Sequence, residues 1–195
     1  MVRRPVLLAL AVAGVIAAVA VGLTSAAFVG TTSNAGDSFT TGTVSITDND
    51  AGGSMLALSG AKPGNSDTSC IKVTYTGSVD STVRLYGAAA GPLAPFLQLT
   101  VTRGMDSSPS FDGCANFTAD ATNYIGSGAG VIYSGLLSAY PATYGSGIVD
   151  PVSGSPQTWT TSEVHSYKFV VSLNNNPAAQ GLSATATFTW EARNL

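Results

Sequence analysis

Charge is scarce in this chain. Lys, Arg, Asp and Glu make up 10% of its 195 residues, against about 25% in ordinary soluble domains. Eight Lys and Arg face eleven Asp and Glu, so the formal net charge is −3 and no basic patch stands out. That argues against nucleic-acid binding, whose affinity rests on phosphate contacts. Histidine occurs once, at His165. A zinc protease site of the HExxH kind needs two histidines on one helix face and a glutamate as base. Glu163 and His165 fall on one face of an expected strand, without a third ligand, so His165 reads as a strand-end residue. No GxSxG elbow marks an activated serine. The Gly-rich stretches lack the GK[ST] ending of a phosphate-binding loop. The chain therefore carries no recognisable enzyme signature, and no cofactor or metal is expected.

Long amphipathic helix patterns are also missing. With Lys rare and Gly present 22 times, the polar surface must come from Thr, Ser, Asn and Gly. That composition suits strands and turns better than exposed helices.

The N-terminus is different. Arg3 and Arg4 precede a run from Val6 to Leu23 that is entirely apolar or small. Ser25 and Ala27 then supply the small side chains that a signal peptidase admits at −3 and −1, which predicts a helical signal peptide over residues 1–27, cleaved between Ala27 and Phe28. An uncleaved anchor is the rival, but a run of about 18 Ala-rich residues is near the minimum for spanning a bilayer. Cleavage removes two arginines and leaves six basic against eleven acidic residues. Residues 28–195 then form one domain, beginning with a flexible segment, 28–38, that is poor in core-forming residues.

From Phe39 the pattern turns to strands. Val44 and Ile46 alternate with Thr; Asp48-Asn49-Asp50-Ala51-Gly52-Gly53 makes a turn; Met55 to Leu58 reads as a short apolar strand. Lys62-Pro63-Gly64-Asn65 is a strong turn, with Pro presetting φ and Gly supplying positive φ. Period-2 alternation follows in Ile71/Val73/Tyr75, Val83/Leu85, Leu97/Leu99/Val101, Tyr167/Phe169/Val171/Leu173 and Ala184 to Ala192, the mark of half-buried strands. Residues 104–130 and 141–158 read as long irregular loops. Residues 132–137 suit a strand end or one helical turn, and 174–180 a turn or short helix. About eight strands with one apolar and one Thr/Ser face imply an all-β fold, an antiparallel β-sandwich of jelly-roll type.

Cys70 and Cys114 are the two cysteines. In an exported chain a pair points to one disulfide, with buried free thiols as the alternative. The bridge would close about 44 residues and contribute ~4 kcal/mol in the chain-entropy view. Asp48 and Asp50 could offer oxygens to calcium, although DND followed by AGG is also an ordinary turn. Asn116-Phe117-Thr118 is a glycosylation sequon.

Several segments, in order, resemble the TasA/camelysin family of exported bacterial matrix proteins. They are Ala26-Ala27-Phe28, Phe39 to Val44 with the DND turn, Leu56 to Asn65 (LALSGAKPGN), Cys70 to Tyr86, and Leu182 to Asn194. The resemblance implies a jelly-roll subunit processed by a signal peptidase of SipW type. It implies secretion, retention in the extracellular matrix or at the cell surface, and assembly of the protein with itself into fibres. In such fibres an N-terminal strand completes the sheet of the next subunit, and an accessory anchoring protein can hold the assembly. The strand donor here would be Phe28 to about Phe39, with Phe28, Val29, Ala35 and Phe39 as subunit contacts. Membrane contact would be limited to the signal peptide before cleavage. Camelysin relatives carry a metalloprotease label, which one histidine supports poorly. A third reading is a monomeric adhesin or carbohydrate-binding sandwich, using exposed aromatics such as Tyr124, Tyr133, Tyr140, Tyr144 and Trp159.

Overall fold

A computed structural model describes residues 41–107, 110–151 and 157–195. The expected signal peptide, its cleavage site at Ala27 and Phe28, and the contact candidates Val29, Ala35 and Phe39 lie outside the described residues. Among the described residues no helix is long and apolar enough to cross a membrane.

The fold is all-β and antiparallel. Among the described residues ten strands follow in order: β1 (Ile46–Asp48), β2 (Ser66–Tyr75), β3 (Ser81–Ala90), β4 (Leu97–Asp106), β5 (Phe117–Ala119), β6 (Val131–Leu136), β7 (Ile148–Val149), β8 (Thr158–Trp159), β9 (Val164–Leu173) and β10 (Thr185–Asn194). One sheet runs β1-β2-β9-β4-β5, with β6 also on β4; the other runs β10-β3-β7, with β8 also on β3. The sheets share one core. Phe169 of β9 meets Phe188 of β10 at 4.7 Å between ring centroids, and Tyr167 meets Trp190 at 5.5 Å.

The five long strands form where alternation is clearest, because each has one face to bury. Ile71, Val73 and Tyr75 are buried, with Lys72 and Thr74 between them more exposed. Leu97, Leu99 and Val101 behave likewise on β4. The Lys62–Asn65 turn forms as expected: the Asn65 amide donates to the Lys62 carbonyl at 2.9 Å, and Gly64 takes φ +84°. Residues 174–180 carry a short 3-10 helix at Pro177–Ala179. The 132–137 stretch holds both alternatives at once, β6 followed by a 3-10 turn at Leu137–Ala139.

Two expectations are corrected. Residues 104–130 and 141–158 are not wholly irregular: β7 lies within the second stretch and pairs with β3, and in the first β4 runs on to Asp106 and pairs with β5. Gly104 permits that pairing, since a Cβ there would lie 2.2 Å from the Thr118 carbonyl oxygen. Met55 to Leu58 is not a strand. It is an extended strap whose apolar side chains pack on the core. Its Ala57 amide donates to the Asp67 carboxylate at 2.6 Å instead of to a neighbouring strand.

Candidate functional site

Two regions hold the chemistry the fold leaves over: a largely buried cluster of charged side chains, and a seam between the sheets that is lined by cavities.

The cluster gathers residues that sequence reading kept apart. Arg103 sits on β4 at the inward parity of Leu99 and Val101, so its guanidinium enters the core. It pairs there with Asp120 and with Asp150, whose Oδ1 lies 2.6 Å from Nε. It also donates to Gln157 Oε1 at 2.8 Å and to the Tyr124 hydroxyl at 3.2 Å. His165 has the inward parity of Tyr167 and Phe169 on β9. Its Nδ1 lies 2.6 Å from Asp150 Oδ2, and its Nε2 lies 3.0 Å from Glu163 Oε1. Both ring nitrogens are also about 3 Å from Arg103 Nη2. The Tyr167 hydroxyl donates to Asp150 Oδ2 at 3.0 Å, and the Trp159 ring covers His165 at 4.1 Å.

Asp150 is fully buried and His165 is 7% exposed. His165 does stand at the end of a strand, second in β9, and the structure adds what parity alone did not show: it is central to the cluster, within reach of both Asp150 and Glu163. Burial works against the Arg103 charge, yet the carboxylates of Asp150 and Asp120 outweigh it and hold the guanidinium more firmly protonated than usual. Burial, reinforced by Asp150, pushes the Tyr167 hydroxyl well above its ordinary range. Among the described residues no group of three or more His, Cys, Asp or Glu is placed to hold a metal ion. The arrangement suits a structural tie joining β4, β9 and the β7–β8 connection.

The seam lies where the sheets' edges meet without pairing. Among the described residues, β10 pairs with β3 alone, over all ten positions from Thr185–Ala90 to Asn194–Ser81. Across from it runs β1, the edge of the other sheet. A cavity of about 180 Å³ between them is lined by Ile46, Asp48, Val73, Phe188 and Trp190. A second cavity, about 320 Å³, separates β10 from the strap and reaches Ile71, Leu99 and Val171 of the core. β10 carries the plainest alternation in the chain, yet Phe188 and Trp190 are only half-buried, and both line the cavities of the seam.

The remaining predicted sites divide cleanly. Cys70 and Cys114 are joined, with Cα atoms 5.2 Å apart and a sequence separation of 44; the bond fits a non-reducing compartment. Asp48 and Asp50 serve their own turn: Asp48 Oδ1 accepts from the Asp50 amide at 3.2 Å, and Asp50 Oδ1 from the Gly52 amide at 2.7 Å. Burial raises the Asp48 carboxyl, and Asp50 adds to that. The expected row of exposed aromatics is corrected. Trp159 is fully buried and Tyr140 is 8% exposed. Tyr124 donates to Asp120 and Tyr133 to the Leu136 carbonyl, each at 2.7 Å. Tyr144 is flanked by Arg84 and Arg193.

Sequence reading missed Arg103, Asp120, Asp150 and the edge of β10 that has no second partner among the described residues. The signal for Arg103 was its parity, a charge at an inward position in a chain with few charges. No comparable signal marks the edge, since pairing partners are set by tertiary order. The chain matches no protein-family model and no curated protein.

Proposed function

We propose that this is a non-enzymatic, secreted structural protein of the extracellular matrix or cell surface, a jelly-roll subunit that joins to copies of itself by strand exchange. The N-terminal segment from Phe28 to about Phe39, freed by cleavage after Ala27, would add along the outer edge of β10 in the next subunit. The observation that carries this reading is the seam. β10 offers a ten-residue edge with no second partner among the described residues, beside cavities lined by core side chains. An incoming extended chain gains main-chain hydrogen bonds along such an edge and places alternate side chains in the seam. The same edge left bare is an association hazard. A contact that runs head to tail without closing produces a filament. The disulfide supports export, and the scarcity of charge suits a densely associated material.

Electron microscopy of the purified cleaved protein tests the proposal, alongside a variant lacking residues 28–39. Fibres from the first and monomers from the second are expected. A strictly monomeric cleaved protein at high concentration, even after seeding, contradicts it.

A further inference from the structure

A third cavity, about 550 Å³, lies beside the Lys62–Asn65 turn and the 3-10 helix at Pro177–Ala179. Four leucines line it, Leu58, Leu93, Leu173 and Leu182, together with Pro63 and Pro177. Its polar lining is confined to Lys62, Asn176 and Gln180; it includes one cation and no carboxylate. The size and the mix of apolar wall with a few polar groups are those of a small-molecule site.

The walls are fixed in advance. The Gly64 amide donates to the Leu173 carbonyl at 2.9 Å, and the Leu173 amide returns a bond of 2.9 Å to Asn65. The Leu182 amide donates to the Ala179 carbonyl at 3.3 Å, and the Asn176 side chain caps the Ala178 amide at 3.0 Å. Gly60, Gly64 and Gly181 hold positive φ with open space where a Cβ would stand, so backbone conformation, not crowding, selects glycine at these turns. A preformed cavity spares its ligand the cost of ordering the protein.

We infer that this cavity binds a medium-chain amphiphile with an anionic carboxylate head, its tail among the four leucines and its head at Lys62. Two observations choose this chemistry: the lining has a single charge, a cation at an exposed position, and the apolar walls have no buried acid that would repel the head. Leu58 and Leu93 also line the seam cavity, so a longer chain has apolar space to continue into. The inference does not depend on fibre assembly.

Isothermal titration of the purified protein with hexanoate, octanoate, decanoate and decanol, each below its micelle concentration, tests it. Saturable binding is expected, tightening about three- to fourfold per added methylene. Lys62→Ala should weaken decanoate about fivefold and leave decanol unchanged. Leu182→Trp, which fills the cavity, should abolish binding of both. Amide chemical shifts locate the ligand without any variant, and should move at Gly60, Gly181 and Leu182. Absence of saturable decanoate binding overturns the inference. So do shifts confined to other residues, or decanoate binding that Lys62→Ala leaves untouched.

Discussion

The charged cluster and the seam are built on the same two sheets and treat their surplus chemistry in opposite ways. At the cluster, polar groups that could reach solvent are drawn inward and matched: Arg103 to Asp120 and Asp150, His165 to Asp150 and Glu163. At the seam, apolar groups that could be sealed are left half-covered. Phe188 and Trp190 pack on the core from one side and face cavities on the other. A region whose charged groups are paired gains rigidity and offers a partner little. A region with an unpaired edge and unfilled apolar space can still gain by contact. The difference sets a matched network of charges against an edge that, among the described residues, has one partner strand; in the assembly proposed above, that edge is where subunits would join.

Breaking the cluster should therefore cost more than altering the seam. Asp150→Ala removes a fully buried carboxylate from Arg103 and His165, and should lower unfolding free energy by about 3–5 kcal/mol, measured by denaturant titration. Replacing Cys70 and Cys114 by serine should cost about 2–5 kcal/mol in the same assay, because the bridge ties positions with a sequence separation of 44 and so restrains the unfolded chain. In the core, Phe169→Ala should cost about 3–5 kcal/mol. Phe188→Ala at the seam should cost about half as much, since less of its surface leaves water on folding. Equal losses at the two phenylalanines would remove the distinction between a closed core and an open seam.

Much of the fold was legible because its long strands alternate cleanly. Ile71, Val73 and Tyr75, or Tyr167, Phe169 and Val171, declare an inner face by parity alone. Partner choice was not legible. Met55 to Leu58 has the residues of a strand, but a strand needs a ladder, and the neighbouring edge stands across a cavity. Trp159 and Tyr140 lie in segments rich in Gly, Ser and Pro, where loops are expected at the surface, yet both side chains fold back into the core. Cys70 was paired correctly because two cysteines allow one intramolecular bond. His165 was underestimated because its partners, Asp150 and Arg103, reach it only through the fold.

pH sharpens the comparison at smaller scale. Tyr167 ionises less readily in the folded cluster than in the unfolded chain. Its stabilising contribution is complete below about pH 10, the ordinary tyrosine value, and is lost as pH rises through the raised folded value. Thermal melts should fall in this alkaline window, and Tyr167→Phe should flatten the fall. On the outer face of β10, the Tyr86 hydroxyl and then Arg193 hold Glu191 below the usual carboxylate range. That contribution is present above the unfolded carboxyl value and lost as pH falls through the lowered one. At a water-facing site it should amount to under about 0.5 kcal/mol, seen as a small acid-side loss that Tyr86→Phe reduces.

Hydrogen exchange along β10, in monomeric and in assembled protein, tests the central claim most directly. Alternate residues of a strand direct their amides to opposite edges. One set of β10 amides already bonds β3 and should be protected in both states. The other set should exchange quickly in the monomer and become protected on assembly. Assemblies in which that second set exchanges as fast as in the monomer would show that subunits join elsewhere, and would contradict the account.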